Sequence, residues 1–401
     1  MKVFNLSLND DSGVDSIHAN EKTFFTRELD ALAHKHKVIF IVSSGNHQSY
    51  FDGGKKYPDC LFARESVITP PADLINGVSV GSIADTESSR SVALNNEPSP
   101  FSRIGLAGII KPDLAHFGGN WDEFGSPAGI GVKGFSVTED QIDEGVGTSY
   151  SAPLVSQITA QIYAYVNQSQ QWNNPPIDLT KALLIHSAAY ELPSSSKIKP
   201  EELYRIVGFG IPDFIRAIDC AKSSATFIYC DSIGNITKSG DDEVKEAKHK
   251  IKFVVPPELV GKNKQIRVKG TLVYTSMISA SGEVNYSLVD IEVNLHRLNS
   301  KGTMGSAGLT KCVQDYRNKW NPIKHFEGVF NAYSGGEWEI WLTLTTRGAL
   351  DGKPHSQEYA LVLTIEDITS DSSKRVNLHE IIRNKYKEYN TLELRTRARV
   401  K

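Results

Sequence analysis

The sequence predicts an α/β domain with a doubly wound, mostly parallel sheet, followed by a separate antiparallel β-sandwich. Three observations predict it. Residues 2–42 run strand, helix, continuous apolar strand, the order of a βαβ unit. Residues 147–165 set a Gly-bearing tight turn directly before a buried helical pattern. From about residue 222 strand-like segments succeed one another without intervening helices.

Taken in order, residues 2–8 read as a strand broken by Asn9-Asp10-Asp11-Ser12-Gly13. Phe25, Leu29, Leu32 and Ala33 share one helical face. Val38-Ile39-Phe40-Ile41-Val42 is apolar throughout, as a strand covered on both faces of a parallel sheet should be. Residues 47–75, rich in Gly, Pro and Asp, read as a long surface loop, and residues 77–83 as another strand. A turn at residues 111–118 and a Gly-rich connection then lead to Ser149. Two helices follow, the second over 178–188 with Asp178 as its expected N-cap, and a short one lies near 214–220. Beyond residue 222, strands are expected over 250–255, 265–274, 286–298, 338–346 and 358–365, the third alternating as Ile291-Glu292-Val293-Asn294-Leu295. Leu378, Ile382 and Tyr386 mark a terminal amphipathic helix before a tail with Arg395, Arg397, Arg399 and Lys401, whose ordinary reading is a solvated end. The expected domains are therefore 1–221 (α/β), 222–370 (β-sandwich) and 371–401 (helix and basic tail).

Composition narrows the function classes. At 401 residues the chain should hold two domains, and 40% hydrophobic with 23% charged residues is ordinary for a globular protein. A net charge of −3 gives no electrostatic case for nucleic acid or an anionic membrane, and no run approaches the roughly 18 apolar residues of a membrane span. Met1-Lys2-Val3-Phe4-Asn5-Leu6-Ser7 is too poor in apolar residues for a secretory signal. Cys60, Cys220, Cys230 and Cys312 lack metal-ligand spacing, so reduced thiols in a cytoplasmic protein are expected, with a Cys220–Cys230 bridge left open.

The chemistry centres on Gly147-Thr148-Ser149-Tyr150-Ser151-Ala152-Pro153. A Gly-Thr-Ser tripeptide alone fits a helix N-cap equally well. At a helix N-terminus, however, unpaired N–H groups and partial positive charge would stabilise an oxyanion forming beside Ser149. The whole heptapeptide resembles the serine-nucleophile motif of the subtilases, the subtilisin-like serine peptidases. Asn5-Leu6-Ser7-Leu8 resembles that family's edge strand, and Ser43-Ser44-Gly45-Asn46 the segment whose Asn donates to the oxyanion. Val80-Gly81, residues 111–118 and Gly208-Phe209-Gly210 match further landmarks in the same order, so the likeness covers residues 2–221. It implies Ser149 as nucleophile, Asn46 as oxyanion donor, and a substrate strip made of Ser7, Leu8, Asn9, Ser43, Ser44, Gly45 and His47. Loss of such a donor costs roughly 2.7–4 kcal/mol of transition-state stabilisation, the magnitude known for subtilisin. The sandwich resembles the appended C-terminal domains of larger subtilases.

One part of the pattern has no counterpart. In the family a general-base His and an orienting Asp precede the Asn-Leu-Ser-Leu segment, and neither motif occurs in this sequence. Serine at its ordinary pKa is a poor nucleophile without a base, so an upstream segment or partner chain is expected to supply both groups. None of the eleven histidines matches the missing position. His47 is expected at the rim of the pocket for the residue before the scissile bond or on a solvated loop, His116 in a structural turn, and His34 with His36 at a helix end. A catalytically inactive pseudopeptidase that binds peptides is the rival reading. An α/β-hydrolase is disfavoured because no Gly-x-Ser-x-Gly elbow surrounds Ser149. The resemblance further implies association with an AAA+ ATPase. Calcium sites are common in the family, but no ligand run here names one, and no cofactor is expected.

Overall fold

The computed structural model describes residues 1–52, 54–136, 141–168, 176–234, 236–237, 244–245, 247–261, 263–280, 285–299, 301–309, 311–312, 319–331 and 335–387. The basic tail falls outside the described residues. Two compact units form: Met1–Ala164 with Ser187–Asp213 and Ile278–Tyr286, and Tyr165–His186 with Phe214–Met277 and Ser287–Lys401. The division is discontinuous along the chain.

The helices are α1 (Val14–His18), α2 (Phe24–His36), α3 (Ser49–Asp52), α4 (Thr148–Gln168), α5 (Ile177–Ser187), α6 (Leu203–Ile206), α7 (Phe214–Ile218) and α8 (Leu378–Lys385). The first unit is built on a parallel sheet of β1 (Val3–Leu6), β2 (Ile39–Ser43), β3 (Val78–Ile83) and β4 (Leu114–Phe117), paired in that order. Every residue of β2 and β3 is buried, as continuous apolar strands covered on both faces should be. β1 forms one edge of this sheet among the described residues.

Local chemistry moved several elements from their expected places. On α2 the buried face is Thr26, Leu29, Asp30 and Ala33, while Phe25 and Leu32 are 37% and 39% exposed. The helix turns this way because its polar residues bind the turn before β3. Asp30 accepts the N–H groups of Ile75 (3.0 Å) and Asn76 (2.8 Å), and Thr26 donates to Asp73 (2.7 Å). Apolar spacing alone could not register that satisfaction of buried donors. The expected loop at 47–75 holds α3 and two short 3-10 turns. The expected turn at 111–118 holds β4, and the Gly-rich stretch before Ser149 holds an antiparallel hairpin, β5 (Val132–Phe135) with β6 (Ile142–Gly145). Asp178 is not an N-cap: it lies inside the first turn of α5, buried, and accepts the Thr275 hydroxyl at 2.6 Å.

In the second unit one antiparallel sheet runs β10 (Ala247–Val255), β16 (Gly336–Thr346), β12 (Val289–Leu298) and β13 (Met304–Ser306). The other runs β14 (Lys311–Cys312), β15 (Ile323–Asn331), β11 (Gln265–Val273), β17 (Ser356–Asp367) and β7 (Ser224–Gly234). Two short strands, β8 (Ile236–Thr237) and β9 (Val244–Lys245), pair with each other. Both large sheets feed one apolar cluster, including Phe227, Phe253, Leu272, Val293, Phe326, Trp338 and Leu361, joined by Leu378 and Ile382 of α8. Cys60, Cys220 and Cys230 are free thiols, so no Cys220–Cys230 bridge forms, and burial pushes Cys60 up to about 11 and Cys230 to about 12.

Lys111 and Asp113 form a buried pair at 2.6 Å, and Asp113 also accepts from the backbone N–H and the hydroxyl of Ser79. Asp113→Ala leaves a buried cation unpaired and should cost about 3–5 kcal/mol in urea denaturation. His47 is held down to about 4, first by burial and then by the Arg103 charge, and His116 to about 4 by burial. The unfolded chain therefore binds more protons between pH 6.5 and 4. Stability should be full above about pH 6.5 and fall through that window, with up to about 3 kcal/mol from the buried His47. His47→Gln should flatten the pH dependence measured by denaturation.

Candidate active site

Asn46 and Ser149 approach the same small space. Asn46 follows β2, and Ser149 is the second residue of α4, whose buried stripe is Ala152, Val155, Thr159, Ile162 and Val166. Both residues are exposed. Thr148, between Gly147 and Ser149, is fully buried and locks the pair. Its N–H donates to Asn46 Oδ1 at 3.0 Å, its hydroxyl donates to the same oxygen at 3.2 Å, and Gly45 N–H donates to that hydroxyl at 3.2 Å. The helix thus satisfies one of its unpaired N-terminal donors with the Asn46 side chain.

This bonding decides which end of the Asn46 amide is free. With Oδ1 occupied, Nδ2 has no acceptor among the described residues and faces the open side of Gly147. A methyl group built on Gly147 would sit 3.2 Å from Asn46 Nδ2 and 3.7 Å from Ser149 N. Both nitrogens, with Asn46 Oδ1 slightly farther at 3.8 Å and committed to Thr148, therefore lie beside the bare face of Gly147, at φ +149. Ser149 N lies in the first turn of α4, where no intrahelical acceptor exists. Such a pair of preorganised donors can stabilise negative charge on an oxygen placed between them.

The start of α4 is held from three directions. Pro153 has no N–H to give the carbonyl of Ser149 four residues earlier. That carbonyl instead accepts the Ser7 hydroxyl at 3.3 Å. Asn5 continues the link, donating to Ser7 Oγ at 3.1 Å and accepting from Ser156 Oγ at 3.0 Å. At the end of β4, Gly118 approaches so closely that a side chain there would lie 2.5 Å from Ser151 Oγ and 2.6 Å from the Gly147 carbonyl. Gly118 in turn accepts the Gly147 N–H at 2.9 Å. The residues 208–210 brace the other end of that segment, with Phe209 N–H donating to Asp113 O and Ala115 N–H to Gly210 O.

The expected substrate strip is only partly presented to solvent. Ser7 and Leu8 are exposed, and Asn9 is half-buried. The Asn9 side chain is used internally: it donates to Ser43 O at 2.9 Å and accepts the Ser43 hydroxyl at 2.9 Å. Ser43, Ser44 and Gly45 are buried, because they continue the covered strand β2. His47 is also buried, at 3% exposure, and not at a rim or on a solvated loop. Its Nδ1 accepts the Ser49 N–H at 3.2 Å and faces Ser66 Oγ at 3.2 Å. For these residues only backbone groups remain to meet a substrate.

Two contributors had no role in the sequence reading. Thr148 lies inside the quoted heptapeptide, and a hydroxyl residue at a helix start was the available signal. Arg103 offered none, since three of its four acceptors are backbone carbonyls and all four lie far from it in sequence. It donates from Nε to Asn46 O and from Nη1 to Val67 O, both at 3.0 Å. Among the described residues the Ser149 hydroxyl has no hydrogen-bond partner, and no group of three His, Cys, Asp or Glu residues could hold a metal ion. No helix among them is long and apolar enough to cross a membrane.

The model of the subtilase family matches residues 1–210. The uncharacterised protein y4bN of Sinorhizobium fredii (strain NBRC 101917 / NGR234) is 30% identical over 247 residues, 54% of this chain and 56% of that protein. The chain thus spans just over half the length of the curated relative it matches. Similar solved structures include a lanthipeptide protease (21% identity, 54% of this chain and 60% of that one, TM-score 0.35). The PatG macrocyclase in complex with peptide is another (14% identity, 54% and 50% coverage, TM-score 0.35). Because the family match spans more than half of its length, the chain belongs to the subtilase family.

Proposed function

We propose that this chain is the Ser149- and Asn46-bearing part of a serine endopeptidase acting on peptide or protein substrates. Ser149 Oγ attacks the peptide carbonyl carbon as its proton passes to a base, which later returns it to the leaving amine, and the carbonyl oxygen gains negative charge between Asn46 Nδ2 and Ser149 N–H. The C–N bond then breaks, the leaving amine takes a proton, and water hydrolyses the acyl-enzyme. The observation that carries this reading is the single space 3.2 Å from Asn46 Nδ2 and 3.7 Å from Ser149 N. The exposed Ser7 and Leu8 would lie along an extended substrate and offer main-chain groups.

The base and its orienting carboxylate are proposed to come from polypeptide outside the described residues, because the Ser149 hydroxyl is unpartnered among them. That same observation favours a second reading, a pseudopeptidase that retains the groove and binds peptides without cutting them. The two antiparallel sheets around one apolar cluster support a β-sandwich appended to the peptidase unit. Free, protonated thiols suit a reducing compartment.

A fluorophosphonate probe tests the base requirement. The purified chain alone should label no more than Ser149→Ala, and labelling without any partner would contradict it. Supplying an Asp- and His-bearing subtilase segment, fused or in trans, should produce Ser149-dependent labelling and peptide cleavage. Failure of both, with peptide binding retained, would leave the binding module. In the active form, Asn46→Ala should lower kcat by roughly 10²–10³-fold with little change in KM.

A further inference from the structure

We propose that Arg103 is a positioning residue for the oxyanion arm, fixing the direction of Asn46 Nδ2; this rests on the reading of Asn46 given above. Arg103 is 6% exposed. Its guanidinium donates to Asn46 O at 3.0 Å, to Val67 O at 3.0 Å, to Glu65 O, and to Asp11 Oδ1 at 3.2 Å. Three of these four acceptors are neutral carbonyls, and the one carboxylate, Asp11, has a side chain 71% exposed. Burying a cation against carbonyls is a costly way to gain stability, and burial accordingly lowers the Arg103 pKa. The arrangement is an effective way to fix geometry, because the planar fork sets several acceptors at once.

The geometry fixed is that of Asn46. Its side-chain oxygen is held by Thr148 and its main-chain oxygen by Arg103, so both ends of the residue are pinned and Nδ2 has one direction left. Neighbouring contacts clamp the same backbone: Arg103 N–H donates to Gly45 O at 3.2 Å, and Asn46 bridges Ser102. The stem of Arg103 lies on the bare face of Gly45, where an added side chain would come within 2.7 Å of Arg103 Cδ. Gly45 therefore serves two needs, its φ of +93 and room for this arginine.

The test compares binding of an N-acetyl tripeptide boronic acid with that of the matching peptide alcohol. With the boronic acid, Ser149 Oγ forms a bond to boron, its proton passes to solvent, and a tetrahedral boronate anion remains. The alcohol reports ground-state binding alone. Supplied with the Asp- and His-bearing segment, the wild-type chain should prefer the boronic acid, and both Ser149→Ala and Asn46→Ala should abolish the preference. Arg103→Met should lower it on the order of 10²-fold, with alcohol affinity unchanged. Arg103→Gln, which keeps an N–H for Asn46 O, should recover part of it. A preference that needs Ser149 and Asn46 but is indifferent to Arg103→Met would overturn the role of Arg103 and leave the functional reading standing. A wild-type chain with no preference would overturn both. A second measurement needs no variant to fold: the Arg103 Nε–H resonance of the wild-type chain should shift on adding the boronic acid and not the alcohol. A resonance unmoved by the bound boronic acid would contradict the proposal.

Discussion

The site depends on one hydrogen bond, from the Thr148 N–H to Asn46 Oδ1. A primary amide has two chemically opposite ends, and this bond assigns them. With the oxygen committed to the helix start, the donating nitrogen is left toward Gly147 and beside the Ser149 N–H. Were the amide turned over, the same residues at the same distances would present a lone pair there and would repel negative charge on an oxygen placed beside it. The bond also satisfies a helix N-terminal donor, so local stability and orientation for chemistry favour the same rotamer.

Around that bond the fold supplies close approach. The parallel sheet delivers Asn46 from the end of β2 and Gly118 from the end of β4, while Gly147 and Gly118 carry no side chain to hold the segments apart. Pro153 releases the Ser149 carbonyl from the helical ladder, and Ser7 takes it up, tying the start of α4 to the segment beyond β1. The buried Lys111–Asp113 pair and residues 208–210 hold the far side of β4. Each support uses backbone groups or buried polar atoms, which suits a site that must keep its geometry while charge appears in it.

Much of this was legible in the sequence, for identifiable reasons. The continuous apolar run of β2 and the apolar pattern after Ser149 are direct records of burial, and both elements formed where expected. Residues 43–46 and 147–149 were read together only through family resemblance, since no local pattern links positions about a hundred apart. Where the reading failed, buried polar groups were the cause. Thr26 and Asp30 joined Leu29 and Ala33 on the buried face of α2 and left Phe25 and Leu32 outside, Asp178 left its capping position to meet Thr275, and His47 turned inward to Ser49 and Ser66. Arg103 was invisible because three of its four acceptors are main-chain carbonyls, which leave no trace in side-chain identity, and the fourth, Asp11, is distant in sequence.

The most direct test of the central claim is a crystal structure of the chain with a peptide boronic acid joined to Ser149. One boronate oxygen should lie within hydrogen-bond reach of both Asn46 Nδ2 and Ser149 N, with Asn46 Oδ1 still on Thr148. A boronate oxygen turned to solvent, or an Asn46 amide with its carbonyl toward the adduct, would contradict the account.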